Sequence, residues 1–245
     1  MTIHNTYNLS GRVALVPGGL GGLGAGVTQA FARAGAQVVV SGSQERPDQL
    51  ASLRTELGER ADQVSFTQAD ALEEDQVERL VWSTVERHGR LDILVNTVGG
   101  WAAGQPVTAL ERATWRRMLD INLETAFLLS KYAARPMRQQ AWGRILHVSS
   151  RGARAGRRNA AAYAVAKNAV LTLTEVQAEE LRDAGVTVNA ILPSIIDTPA
   201  NRSSMPTGDF SRWPKPDEVA AVLLFLASED AGLISGASIP VYGAS

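Results

Sequence analysis

Short apolar runs recur along the chain, separated by longer stretches in which apolar residues return every three or four positions. The runs are RVALV (12–16), QVVVS (37–41), QVSFTQA (63–69), LDILVN (91–96), RILHVS (144–149), VTVNAIL (186–192) and ASIPVY (237–242). Their length and their richness in Val and Ile predict seven β-strands. The stretches between them, at 23–34, 47–58, 73–88, 111–138, 160–184 and 216–228, predict helices. Alternation of this kind predicts an α/β fold with a parallel sheet covered by helices on both faces. The strands are apolar almost throughout, as a sheet buried on both sides requires. No repeat, low-complexity tract or interdomain linker interrupts the pattern, so residues 1–245 read as one domain. The exception is PSIIDTPANRSSMPTGDFSRWPKP, Pro193 to Pro216, whose five prolines resist helix and strand. A loop of that length in a small domain usually serves function, which predicts a substrate lid over about 194–215.

Composition narrows the function classes. The 245 residues are 45% hydrophobic and 20% charged, with a net charge of −1 and a pI near 6.3. That balance leaves no footprint for nucleic acid or an anionic membrane. There are no cysteines, which excludes disulfides, thiolate metal sites and cysteine nucleophiles. The three histidines stand in no ligand or triad spacing, so no metal site is expected. No G-x-S-x-G elbow supports a serine hydrolase. The polar start, MTIHNTYNLSGR, lacks the apolar core of a secretory signal, and the longest apolar run, Val219 to Ala227, is too short to span a bilayer. A cytoplasmic protein is expected.

Five glycines fall in the seven residues from Gly18 to Gly24, directly behind the first strand and opening the first helix. In that setting glycine permits a tight turn and brings backbone N–H groups close to a phosphate. The helix N-terminus then offers unpaired donors and partial positive charge to a pyrophosphate. Further along, Tyr163 and Lys167 lie four apart in a helical pattern and share a face, with Ser150 at the end of a strand 13 residues earlier. A carbonyl that accepts hydride needs a proton donor at its oxygen, and a nearby ammonium favours the phenolate of a tyrosine whose free pKa is about 10.

These motifs resemble the short-chain dehydrogenases/reductases, and the likeness runs from Gly11 to the C-terminus. The family's T-G-x-x-x-G-x-G turn is matched by Gly18, Gly22 and Gly24, with Leu20, Gly21 and Leu23 between them and Pro17 in place of the threonine. That exchange removes a hydroxyl and an N–H, so the turn has to be braced in another way. The family's Ser…Tyr-x-x-x-Lys is matched by Ser150, Tyr163 and Lys167, and its helix asparagine by Asn122 in MLDINLETAF. The resemblance implies Tyr163 as acid/base and Ser150 as the group that orients the carbonyl. It also implies Lys167 as a ribose ligand that tunes the tyrosine, and Asn122 as support for a proton relay.

Further matches are Asn96 and Gly99 in ILVNTVGG and Asp70–Ala71 beside the adenine. In ILPSIIDTP, Pro193, Ile196 and Thr198 are placed near the carboxamide. A Rossmann-type, doubly wound, seven-stranded sheet binding NAD(P) is thus implied, with a homotetramer or homodimer formed through the two long helices.

At the end of the second strand, SGSQER puts Gly42 where an acidic residue would hold an NAD ribose, with Ser43 and Arg46 close behind. That pattern favours NADP(H) over NAD(H). Four arginines, Arg151, Arg154, Arg157 and Arg158, stand between Ser150 and Tyr163. They read either as recognition of an acidic substrate or as a solvated basic surface or subunit contact. DTPANRSSMPTGDFSRW (197–213) and GGWAAG (99–104) resemble segments of dihydropteridine reductases, where Trp101 and Trp213 would flank a flat ring. Those enzymes, however, lack the Ser150 hydroxyl and favour NADH. The expected activity is NADP(H)-dependent interconversion of a ketone and a secondary alcohol. The alternatives are reduction of a quinonoid dihydropterin and a non-catalytic NADP(H) sensor.

Overall fold

A computed structural model describes residues 7–244. The first six residues of the polar start and Ser245 lie outside the described residues. All seven predicted strands form, each within about two residues of its predicted span. They are β1 (Val13–Pro17), β2 (Gln37–Gly42), β3 (Val64–Gln68), β4 (Ile93–Asn96), β5 (Gly143–Val148), β6 (Val186–Pro193) and β7 (Ser238–Val241). They make one sheet in the order β3-β2-β1-β4-β5-β6-β7, every pair parallel. The chain winds outward one way through β1, β2 and β3, then returns to β4 beside β1. The C-terminal ends of β1 and β4 therefore diverge around a crevice, where ligands bind in open sheets of this kind.

Successive strand residues feed opposite cores. Ala14, Val16, Val38, Val40, Ile93 and Val95 pack with Phe31, Leu50, Leu223 and Leu224. Those partners come from α1 (Gly22–Arg33), α2 (Pro47–Leu57) and α8 (Pro216–Ala227). Leu15, Val39, Leu94 and Ile145 pack on the other face against Val77, Leu80, Leu129, Ala178 and Leu181. These belong to α3 (Glu74–His88), α5 (Thr125–Gln139) and α6 (Ala161–Leu181). A strand whose two sides are both buried has to be apolar at every position, which explains the continuous runs.

Two predicted elements differ from the structure. The stretch 111–138 is not one regular helix: α4 (Arg112–Leu119) joins α5 through a π-helical turn, Asp120–Glu124. The stretch 194–215 is not free of helix either. It contains α7 (Pro199–Ser204) and a single 3-10 turn at Phe210–Arg212. Proline starts α7 instead of resisting it: Pro199 is its first residue, where a missing N–H costs nothing, and the Thr198 hydroxyl caps it by accepting from the Asn201 N–H at 3.2 Å.

Candidate active site

The glycine turn meets the first helix with no room to spare. Gly18 has φ +77°, and a Cβ on Gly24 would lie 2.2 Å from the Gly18 carbonyl oxygen. The N-terminus of α1 has no side-chain cap and no acidic residue in its first turn, which leaves its orphan N–H groups to an anion. Pro17 is braced by Thr97, as the missing hydroxyl required. The Thr97 Oγ1 and N–H donate to the Pro17 carbonyl at 2.7 and 3.1 Å, and the Gly18 N–H donates to Ser41 at 2.8 Å.

Above this turn lies a groove of about 410 Å³. Of the expected cofactor contacts, Gly18, Leu20, Gly21, Ser43, Arg46, Asp70, Ala71 and Gly99 line it. Gln44, Leu72, Thr97, Val98, Ile121 and Thr125 line it as well and were not singled out from the sequence. Thr97 and Val98 sat inside a motif already recognised. Ile121 and Thr125 depend on the π-helical turn, which periodicity does not reveal. Asn96 does not line the groove; it is buried, and its Oδ1 accepts from the Val98 N–H at 3.0 Å, shaping the turn after β4. Gly22, Leu23, Gly24, Tyr163, Lys167, Pro193, Ile196 and Thr198 do not line it either. Thr198 sits over Gly22, so that a Cβ there would lie 2.7 Å from the threonine methyl, and Leu23 packs on the core of α1. The groove thus fits a dinucleotide: a cradle that side chains would fill, uncapped helix donors and a neutral, basic-flanked end near β2.

The chemical residues gather where β5 runs into α6. The Lys167 ammonium donates to the Val148 carbonyl at 2.8 Å, and the Ser149 hydroxyl donates to the Lys167 carbonyl at 2.7 Å. Ser150 Oγ accepts from the Gly152 N–H at 3.1 Å, and its side chain hydrogen-bonds the Tyr163 phenol. Three consecutive residues at the end of β5 therefore fix the first two turns of α6. From the other side, a Cβ on Gly99 would lie 3.0 Å from Asn122 Oδ1 and 3.1 Å from Lys167 Nζ, so amide oxygen and ammonium both close on the same side of that glycine. Asn122 is buried in the π-helical turn. Its amide donates to the Gly100 and Met118 carbonyls and accepts from the Gly100 N–H, tying the loop after β4 to α4.

Burial sets the electrostatics. It pulls Lys167 down from 10.5 to about 8. Tyr163 moves up, because desolvation outweighs the Ser150 hydrogen bond. The expected lowering of the phenol counts the positive charge of an oxidised nicotinamide together with the ammonium; in the protein alone desolvation moves it up. His147, behind the site, is fully enclosed and pulled down to about 4, which keeps it neutral.

On the substrate side, Trp101 is 50% exposed and meets Tyr163 edge-on, with centroids 4.5 Å apart. Arg157 lies over the Trp101 ring at 5.7 Å, and Arg151 over Tyr242 at 5.1 Å. Trp213 corrects the expectation of a second stacking wall. It is 8% exposed, packs edge-on against Phe210 at 4.9 Å, and covers Gly208. Its apolar area is used to fold the lid.

Among the described residues, no helix is long and apolar enough to cross a membrane. A family model described as enoyl-(acyl carrier protein) reductase matches residues 18–243. The chain is 34% identical to the cis-4-hydroxycyclohexanecarboxylate dehydrogenase of Sinomonas cyclohexanicum over 240 residues, 95% of each chain. It is 30% identical to a 3-oxoacyl-(acyl-carrier-protein) reductase of Thermotoga maritima, covering 96% of this chain and 98% of that one. Among solved structures, levodione reductase superposes with a TM-score of 0.89 at 30% identity, over 96% of this chain and 98% of that one. A short-chain dehydrogenase/reductase from Mycobacterium ulcerans does so at 0.89 and 32%, over 97% and 90%. The chain belongs to the short-chain dehydrogenase/reductase family and is an oxidoreductase acting on CH–OH or carbonyl groups.

Proposed function

We propose that this protein interconverts a ketone and a secondary alcohol with NADP(H), using Tyr163 as the acid/base. The observation that carries the reading is the convergence of Ser150, Tyr163, Lys167 and Asn122 beside the mouth of the nucleotide groove. The cofactor supplies or takes the hydride when bound. The Ser150 hydroxyl, held by the Gly152 N–H, orients the substrate oxygen. The Tyr163 hydroxyl delivers the proton to that oxygen in reduction and removes it in oxidation. A phenol pushed up by burial keeps its proton at neutral pH and is ready to donate in the reductive direction. Lys167, whose ammonium is held by the Val148 carbonyl, would bind the ribose hydroxyls and re-protonate the phenol.

The preference for NADP(H) rests on the far end of the groove. Ser43, Gln44 and Arg46 line it beside Gly42, where an acidic residue would hold a ribose 2′-hydroxyl and repel a 2′-phosphate; the lining carboxylate, Asp70, follows β3 instead of β2. A solved relative at 27% identity and TM-score 0.88, ElxO, is described with NADP bound. The dihydropterin alternative is weakened by the packing of Trp213. Assembly as a homotetramer or homodimer is supported by an apolar face on α6. Exposed Val165 and Val176 there border a depression of about 720 Å³ with Leu123 and Leu173.

The direct test follows absorbance at 340 nm with NADPH or NADH against a panel of cyclic ketones, 3-ketoacyl thioesters and quinonoid dihydropterin. The reading expects NADPH-driven ketone reduction. Tight NADPH binding with no turnover on any member would favour the sensor, and turnover of the dihydropterin alone would favour the pterin reading.

A further inference from the structure

From Thr125 to Thr174 the sequence contains no Asp or Glu, and this segment holds α5, β5, the loop beside the phenol and the first part of α6. Its arginines at 154, 157 and 158 are exposed and form no ion pair among the described residues. In the neighbouring lid Asp197 is paired with Arg202, at 2.7 Å for one of two contacts, while Asp209 keeps its charge and accepts from the Ser211 N–H and hydroxyl. With three arginines against that one carboxylate, unpaired among the described residues, the substrate mouth is net positive.

One of these cations is placed. The exposed Arg157 guanidinium lies over the Trp101 ring at 5.7 Å, and that indole meets the Tyr163 ring in a T-shaped contact. The two loops are joined, since the Gly104 N–H donates to the Asn159 carbonyl at 2.8 Å. The Asn168 side chain holds the Ala153 carbonyl at 3.0 Å, anchoring the arginine loop to α6. A single aromatic ring thus links a guanidinium to the ring of Tyr163. The ring face holds the cation in place while its N–H edges stay open to an anion.

Resting on the ketone reductase reading above, we infer that the substrate is a ketone carrying an anionic group several bonds from its carbonyl, and that Arg157, backed by Trp101, binds that anion. Arg154 and Arg158 add a general positive field at the entrance. A carboxylate on the substrate itself and the phosphates of a thioester arm share this chemistry.

The test compares 4-oxocyclohexanecarboxylate, its methyl ester and acetoacetyl-CoA with wild type, Arg157→Gln, Arg157→Lys and Arg157→Glu. Losing a charge-assisted contact is expected to lower the anion-to-ester ratio of kcat/KM by about tenfold to a hundredfold in Arg157→Gln. Arg157→Lys should keep part of that ratio and Arg157→Glu should invert it. The wild-type preference should shrink with added salt. Loss confined to the keto acid assigns a carboxylate; loss confined to the thioester assigns its phosphates. Equal losses on ester and anions, or a change in oligomeric state with an unchanged ratio, would overturn the inference while leaving the reductase reading intact. Failure of wild type on every ketone would instead overturn that reading itself.

Discussion

Replacing Lys167 with methionine tests whether the site's cation is held charged against burial. The lysine is 5% exposed, and burial pulls its pKa from 10.5 to about 8. One pKa unit corresponds to about 1.4 kcal/mol, so the protonated lysine costs the fold about 3 kcal/mol at neutral pH. That cost is present in full below the folded value, where both folded and unfolded chains carry the proton. As pH rises from 8 towards 10.5 the folded protein loses the proton before the unfolded chain does, and the cost fades. The methionine variant has no such dependence. The stability of wild type relative to Lys167→Met should therefore rise by about 2 kcal/mol between roughly pH 7 and 9.5. The lost hydrogen bond to Val148 and the better burial of methionine shift the whole difference curve without changing its slope. Urea unfolding of both proteins at matched concentration, repeated at several pH values, measures the difference directly. A difference that is flat or falls with pH would refute the description of Lys167 as a desolvated cation.

Two further substitutions probe the nucleotide groove, and a third probes the substrate mouth. Thr97→Val deletes the 2.7 Å hydroxyl brace on Pro17 while the Thr97 N–H still satisfies that carbonyl. It should cost about 1 kcal/mol and raise the NADPH Kd several-fold by fluorescence titration, and an unchanged Kd would remove Thr97 from the turn's support. Gly24→Ala places a carbon 2.2 Å from the Gly18 carbonyl, a backbone atom that cannot step aside. A loss of about 1–3 kcal/mol in thermal unfolding, with NADPH binding abolished, is expected; a variant of wild-type affinity would contradict the packing of α1 on the turn. Arg157→Gln should change substrate selectivity and leave NADPH affinity alone, read from the same titration.

The strands were legible because both faces of the sheet are buried: Val38, Val39 and Val40 serve alternate cores, and the sequence shows the three together. The placing of Ser150, Tyr163 and Lys167 was legible because a helical spacing of four and a strand end leave few other arrangements. The π-helical turn was not, since one widened turn leaves the apolar period of 111–138 nearly intact. Yet that turn is where Asn122 meets the Gly100 loop. The helix in the lid was masked by proline, which ends helices within a run but starts them at the first position. Trp213 was assigned from its chemistry, whereas its burial in the folded chain decides what it does. The substitution of Pro17 predicted that a brace had to exist; only the register of β1 beside β4 shows that Thr97 provides it.

The central claim is that the Tyr163 hydroxyl carries the proton, and Tyr163→Phe isolates that one oxygen. The ring, its edge contact with Trp101 and the groove are retained. Steady-state reduction of the best ketone by NADPH should fall by about a hundredfold to ten-thousandfold, with NADPH binding changed by less than about twofold. Turnover within tenfold of wild type at unchanged cofactor affinity would contradict the account.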